Sequence, residues 1–378
     1  MSFAAAFKGR SVFITGHTGF KGSWLAIWLA RLGATVTGYS LAPPTNPSNF
    51  AASSVRDCLS VHHEADIRNG RKLGAAIAAS RPDVVFHLAA QALVRKSYRD
   101  PFLTYEVNAM GTLNLLECLR TSGRPAVVVI VTSDKCYENS GNYPPHSEND
   151  SLGGADPYSG SKAAAEIVAG SYRSSFFPPD HIAHHGMKIA TVRAGNVIGG
   201  GDWAEDRIVP DIVKAFSSGK TASIRNPRSI RPWQHVLNPL NGYLTLASRM
   251  LESDDPGLCS GWNFGPAGAS ESTAADIANE LSASWPGTSW RAAGSNGEPA
   301  EEPCLRLSIA KAVSKLGWEP HWNFDQAIAR TCGWYKAFYD APERSSYELC
   351  VNDIADYETD AAAGSQRPAA GPSYVHAR

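Results

Sequence analysis

No two of the seven cysteines in this 378-residue chain stand at CxxC spacing, and their number is odd. A disulfide framework needs pairs and a structural zinc needs closely spaced thiolates, so neither organises this fold. Reduced thiols and no bound metal are expected. Nor is there an uncharged apolar run near the ~20 residues that a membrane-spanning helix requires. The opening MSFAAAFKGR has no signal-type apolar core before it reaches SVFITG, so no membrane partner and a cytoplasmic setting are expected. An excess of either charge is missing too: 35 Lys and Arg face 36 Asp and Glu, a net charge of −1. That balance argues against nucleic acid as a partner bound through bulk electrostatics. No internal repeat at solenoid period is present either.

What the chain has is alternation. Ser11–Thr15 is a short apolar β-branched run bounded by Gly16, as a buried parallel strand should be. Gly22–Leu32 carries apolar residues at helical spacing and stops at Gly33. Ala34–Tyr39 reads as the next strand, then Gly70–Ser80 as helix and Asp83–Leu88 as strand. A helix follows around Thr104–Thr121, a strand at Ala126–Thr132, a helix after Pro157 and a strand at Lys188–Arg193. Repeated βα units predict an α/β fold, a Rossmann-type doubly wound parallel sheet with helices on both faces. From about Gly199 the rhythm breaks, and Gly, Trp, Pro and Arg become frequent. Residues 1–198 are therefore expected to form the dinucleotide-binding domain, with some later segments returning to it. Residues 199–340 are expected to be mostly a smaller, mixed substrate-binding lobe. Residues 341–378 read as a C-terminal helix and tail, aperiodic and disordered from about Ala361.

The turn after the first strand is Gly16-His17-Thr18-Gly19-Phe20-Lys21-Gly22, a GxxGxxG. Its glycines let the backbone turn sharply and approach a pyrophosphate, and the following helix points free N–H groups at it. Gly16, His17, Thr18, Gly19, Phe20 and Gly22 are the candidate cofactor contacts. Asp66-Ile67 offers a carboxylate to an adenine amino group, and Leu88-Ala89-Ala90 offers a strand end of small residues to a nicotinamide ribose. The second strand ends in Tyr39-Ser40, with neither the acid that grips a ribose 2′-hydroxyl nor a cationic clamp. The missing clamp leans towards NAD over NADP.

Tyr158-Ser159-Gly160-Ser161-Lys162 is YxxxK just after Pro157. At i and i+4 the two side chains share a helix face. An ammonium beside a phenol favours phenolate, so Tyr158 is expected to titrate below the ordinary phenol and to act as a general base, with Lys162 beside both phenol and cofactor.

With TGHTGFKG, DIR, HLAAQ, TSDKCY, YSGSK, RAGNVIGGGDW and RPWQHV quoted together, the chain resembles the nucleotide-sugar 4,6-dehydratases, a branch of the extended short-chain dehydrogenase/reductases. The resemblance runs from about Lys8 to Tyr339. It implies NAD as cofactor and a homodimer built largely from the helices around Tyr158. Members carry a Ser/Thr-Asp-Glu run before the YxxxK helix. Here the run is Ser133-Asp134-Lys135, and lysine in place of glutamate resembles the branch acting on CDP-glucose, in the biosynthesis of 6-deoxy and 3,6-dideoxy sugars such as those of O-antigen lipopolysaccharide. The resemblance implies that Asp134 protonates the departing C6 hydroxyl. Lys135 then either takes the C5 proton, which requires it neutral, or stabilises an enolate while charged. Alternating strand side chains forbid Asp134 and Lys135 from sharing a face, so a turn is expected by Ser133. Asn196, Arg207 and Arg231 are the candidate diphosphate contacts, and Asn108 matches an asparagine that supports the active-site lysine through solvent. Base choice is expected to depend on backbone contacts near Arg207–Pro210. A 4-epimerase shares the glycine turn and YxxxK but has no use for Asp134 and Lys135. A silent dinucleotide-binding sensor would have no use for Tyr158 and Lys162.

Overall fold

The computed structural model describes residues 3–138, 144–267, 272–293, 305–341 and 343–364. Its seven-stranded sheet is formed by β1 (Ser11–Thr15), β2 (Thr35–Ser40), β3 (Val61–Glu64), β4 (Val84–His87), β5 (Val127–Val131), β6 (Lys188–Ala194) and β7 (Gly261–Phe264). The spatial order is β7-β6-β5-β4-β1-β2-β3, and every neighbouring pair is parallel. Strand order reverses between β1 and β4, where Thr15 lies opposite Tyr39 on one side and His87 on the other. A crevice opens beyond the carboxyl ends at such a switch point.

Alternate residues of each strand supply two cores. Val12, Ile14, Val127 and Val129 face one way, against Trp24, Trp28 and Leu240. Phe13, Val128 and Ile130 face the other, against Leu73, Leu115 and Leu119. Trp24 and Trp28 are both fully buried. Trp28 also donates from Nε1 to Glu358 at 2.8 Å, fixing the end of the chain to the glycine-turn helix Phe20–Arg31.

The second half is interleaved with the sheet. Helix Leu237–Glu252 packs on it and β7 extends its edge. The remainder stands to one side: helix Ile208–Ser217, a parallel ladder of Ala222–Ile224 with Trp290–Ala292, and helix Ala274–Ser284, started by a capping box at Thr273.

The last described helix ends close to where the tail is expected to begin. Helix Ser346–Gly364 runs past Ala361, which is buried. Cys350, Ile354, Tyr357 and Ala361 recur at four, three and four residues, one helical face, and all four are buried. The Ala-rich composition hid that spacing. The rest of the expected tail, from 365 onward, lies outside the described residues, as does Cys304.

Candidate active site

β5 consists of five consecutive buried apolar residues and ends at Val131. The chain then turns: Ser133 caps a short helical turn over Asp134–Cys136, its hydroxyl accepting from the Lys135 amide at 3.2 Å. The alternation rule required this turn, and it brings Asp134 and Lys135 to one cavity. Asp134 is buried, accepts from the Ser133 hydroxyl at 3.0 Å, and sits against Gly195, where a Cβ would come within 2.9 Å of its carboxylate. Burial pushes the Asp134 carboxyl upward, opposed by Lys135, the Ser133 hydrogen bond and Lys21.

The helix Pro157–Ser175 begins beside this turn. Asp156 caps it, accepting from the amides of Tyr158 and Ser159, and Pro157 fills the first position, where a missing N–H costs nothing. Tyr158, Lys162 and Glu166 follow at i, i+4 and i+8, all buried on one face. Lys162 donates from Nζ to the Val131 carbonyl at 3.2 Å, tying the helix to the end of β5.

Two titrations differ from the simple expectation for a lysine beside a phenol. Burial pushes Tyr158 up to about 12, only partly offset by the Ser133 hydroxyl. Burial likewise pulls Lys162 down to about 8, which still leaves it mostly charged at neutral pH. Desolvation is the largest cause at both residues and acts against both charged forms.

Glu166 is a residue that motif reading missed. Its carboxylate takes both arms of Arg193, at 2.8 and 2.9 Å, and the Thr191 hydroxyl at 2.6 Å. The pair locks the YxxxK helix to β6. The i+8 spacing from Tyr158 was visible, but its partner on another strand was not.

The glycine turn fits a dinucleotide pyrophosphate. Gly16 has φ +77, and a Cβ there would lie 2.6 Å from the Ala89 nitrogen; one on Gly22 would lie 2.2 Å from the Gly16 carbonyl. Gly19 starts the helix without a side-chain cap, so among the described residues the first-turn N–H groups receive no capping side chain. Phe20 opens that helix. Thr18 bonds Ser40 at 2.7 Å and the Leu41 carbonyl, and His17 stacks its ring over Gly38 and bonds His62 at 2.8 Å. Across the switch point, Leu88 and Ala89 bond Thr15 through their amides, with Ala90 next in the same turn. Asp66 lies on this side too, but its carboxylate already holds Arg68 at 2.7 Å, and Ile67 is buried against Gly111.

The direct partners of Asn108 are Gln91 and Ser161. It sits in a wide i→i+5 turn at Glu106–Met110, accepts from the Gln91 amide at 2.8 Å and donates to Ser161 at 2.8 Å. It thereby pins the turn after β4 to the YxxxK helix.

A cavity of about 670 Å³ brings together Ser133, Asp134, Lys135, Tyr158, Asn196, Arg207 and Arg231; the glycines of the turn and Leu88–Ala90 are not part of its lining. Arg207 holds Asp202 at 3.0 Å, and Arg231 is buried. Lys21, the spacer of the glycine turn, also lines it, pulled down to about 8 by burial and by Arg207. A cation in the first turn of a helix opposes the dipole, and that local conflict was the available signal of a second role.

A model of the GDP-mannose 4,6-dehydratase family matches residues 13–331. The chain belongs to that family. It is 47% identical over 352 residues, 93% of this chain and 96% of the relative, to a CDP-glucose 4,6-dehydratase of Salmonella typhimurium. Among solved structures it resembles a dTDP-glucose 4,6-dehydratase of Bacillus anthracis in complex with NAD, at TM-score 0.70, 20% identity and coverage of 86% of this chain and 96% of that one. A UDP-glucose 4-epimerase of Thermus thermophilus complexed with NAD is equally similar, at TM-score 0.70, 24% identity and coverage of 86% and 98%. Fold alone therefore does not separate dehydratase from epimerase.

Proposed function

We propose that this family member is an NAD-dependent hydro-lyase converting CDP-glucose to CDP-4-keto-6-deoxyglucose. The observation that carries the reading is the Ser133-Asp134-Lys135 turn held against Tyr158 in one cavity, since only elimination at C6 needs that second acid/base set. The Salmonella relative supports the choice of CDP-glucose over other nucleotide sugars.

Gly16, Gly19 and Gly22 would hold the pyrophosphate of NAD, with Leu88–Ala90 along the nicotinamide ribose and Asp66 and Ile67 towards the adenine. Bound NAD supplies the hydride exchange, from sugar C4 and back to C6. Tyr158 takes the C4 hydroxyl proton as a phenolate, a form that burial opposes, that the Ser133 hydroxyl and Arg207 favour in part, and that the positive charge of bound NAD⁺ would favour further. The resulting 4-ketone acidifies the C5 proton, and Lys135 removes it. Asp134, whose burial favours the protonated form, donates to the C6 hydroxyl, which leaves as water. Lys162 positions the helix and the cofactor side of the site, while Asn196, Arg207 and Arg231 take the diphosphate with forked donors. No net redox change results.

Exposed Phe102, Met110 and Ile167, on helices packed side by side next to Tyr158, support a homodimer through that face. An Ile167→Glu chain is expected to sediment as a monomer. Dimeric Ile167→Glu would place the interface elsewhere.

The activity is tested by incubation with NAD⁺ and CDP-, UDP-, GDP- or dTDP-glucose, followed by the alkali-induced near-UV absorbance of a 4-keto-6-deoxy sugar. A signal with CDP-glucose is expected. A signal only with another nucleotide overturns the base assignment, and none at all favours the epimerase or sensor reading.

A further inference from the structure

The cavity extends well beyond the reacting groups. From Tyr158 and Asp134 it passes Arg231 and Arg207 and ends against a wall made by Val209–Asp211 and Ile224–Asn226. A nucleotide sugar is linear, in the order sugar, diphosphate, ribose, base. With the reacting sugar at Tyr158 and the diphosphate on the guanidinium groups, the base falls on this far wall.

Most of that wall is apolar, through Val209, Pro210, Ile212 and Ile224, which suits the faces of an aromatic ring. Its charged side chains differ in how they are satisfied. Asp206 holds Arg225 at 2.9 Å and lies 3.5 Å from Arg95. Asp211 lines the cavity from the first turn of helix Ile208–Ser217, yet its carboxylate has no hydrogen bond or ion pair among the described residues. Burial pushes it up to about 6, with Lys214 and Arg225 opposing and Asp206 and Glu205 adding to the rise. It remains an anion at neutral pH, and an anionic carboxylate can only accept hydrogen bonds.

We propose that Asp211 reads the nucleotide base, its carboxylate accepting a hydrogen from the 4-amino group of cytosine. Uracil and thymine present a carbonyl oxygen at the same ring position. A carboxylate facing that oxygen sets two acceptors against each other, so one residue both attracts cytosine and repels its competitors. The inference rests on the CDP-glucose reading and sharpens it, moving base selection from the backbone near Arg207–Pro210 to one side chain.

An acid in a first helical turn also has a purely structural use through the helix dipole, so the test varies the ligand as well as the protein. Full-length wild type, Asp211→Ala and Asp211→Asn are titrated calorimetrically with CDP, UDP and pyrimidin-2-one riboside 5′-diphosphate, which is CDP without its amino group. Wild type is expected to bind CDP roughly tenfold to a hundredfold more tightly than the des-amino analogue, the range of one charge-assisted hydrogen bond. Asp211→Ala should abolish the difference. Asp211→Asn, whose amide also donates, should lower the kcat/KM ratio of CDP-glucose to UDP-glucose by a similar factor. Equal wild-type binding of CDP and the analogue overturns the proposal even if both variants fail to fold, as does a preference that survives Asp211→Ala. A wild-type protein inactive on CDP-glucose defeats the underlying reading instead.

Discussion

The two regions that meet at the cavity, the sheet side behind it and the lobe, are built on opposite plans. On the sheet side, charge is buried and fully engaged: Glu166 and Arg193 have side chains only 3% and 5% exposed and are joined by two parallel hydrogen bonds. On the lobe side the pairs are half open, with Asp206 and Arg225 at 31% and 39% and Arg207 at 35%. Chemistry needs groups fixed before substrate arrives, because reorganisation at the moment of reaction raises the barrier. Recognition of a charged diphosphate needs donors that can exchange a carboxylate for a phosphate. The contrast teaches which region tolerates change: the lobe can retune its partner, whereas the junction of β5 with the YxxxK helix cannot move without losing the reaction.

The sharpest way to break that contrast is at the reacting groups. Tyr158→Phe removes the C4 base with little change of shape, and kcat is expected to fall by about 10²–10⁴. A variant within a few-fold of wild type would move the base elsewhere. Lys135→Ala addresses the second step separately. Exchange of the C5 hydrogen with deuterated solvent, followed by NMR, should collapse. Exchange at near wild-type rate would leave Lys135 as an electrostatic partner only.

Stability offers the next comparison, between two ion pairs of different burial. In the fold, burial alone would raise Glu166, but the Arg193 fork and the Thr132 and Thr191 hydroxyls more than compensate and hold it below its ordinary value. Glu166→Gln strands the Arg193 guanidinium in the interior and is expected to cost about 3–5 kcal/mol. Asp206→Asn, across an open pair, should cost less than about 1 kcal/mol because solvent screens it. Urea midpoints measured side by side decide the matter. Equal losses would mean that the two regions are not built differently.

Local reading reached the sheet side more completely than the lobe, for a physical reason. Strands β1, β4 and β5 announce themselves by apolar runs, the glycine turn by its spacing, and the stop at Ser133 by the two-residue alternation of strands. Each is a rule about neighbours in the chain. Glu166 obeys a local rule as well, but its meaning comes from Arg193, on a strand reached only after the helix ends. Lys21 and Asp211 were hidden because both line a cavity that the glycine-turn helix, the turn after β5 and the lobe define together. Tyr158 was misjudged in its titration for a similar reason: the distance to Lys162 along the helix was legible, while the depth of burial was not.

Acid supplies the gentlest probe, and it bears on the side that looks most rigid. His17, His87 and His235 are all buried, and burial lowers each from 6.5 to about 3, helped at His17 by His62, at His87 by Lys162 and at His235 by Arg330. Because the folded value lies below the unfolded one, the unfolded chain binds more protons as pH drops. The stabilisation from keeping these rings neutral is therefore complete above pH 6.5 and is lost as pH falls towards 3. The slope is about 1.4 kcal/mol per histidine per pH unit inside that window. His235 isolates the effect, since its Nε2 has no hydrogen-bond partner among the described residues and its ring packs edge-on between Trp24 and Trp322 beneath the glycine-turn helix. His235→Phe keeps the packing and removes the titration, so urea midpoints between pH 6 and 4 should decline less steeply by about that one-histidine slope. An unchanged slope would mean that the ring is already protonated in the fold, and that the sheet side admits charge where its packing argues it cannot.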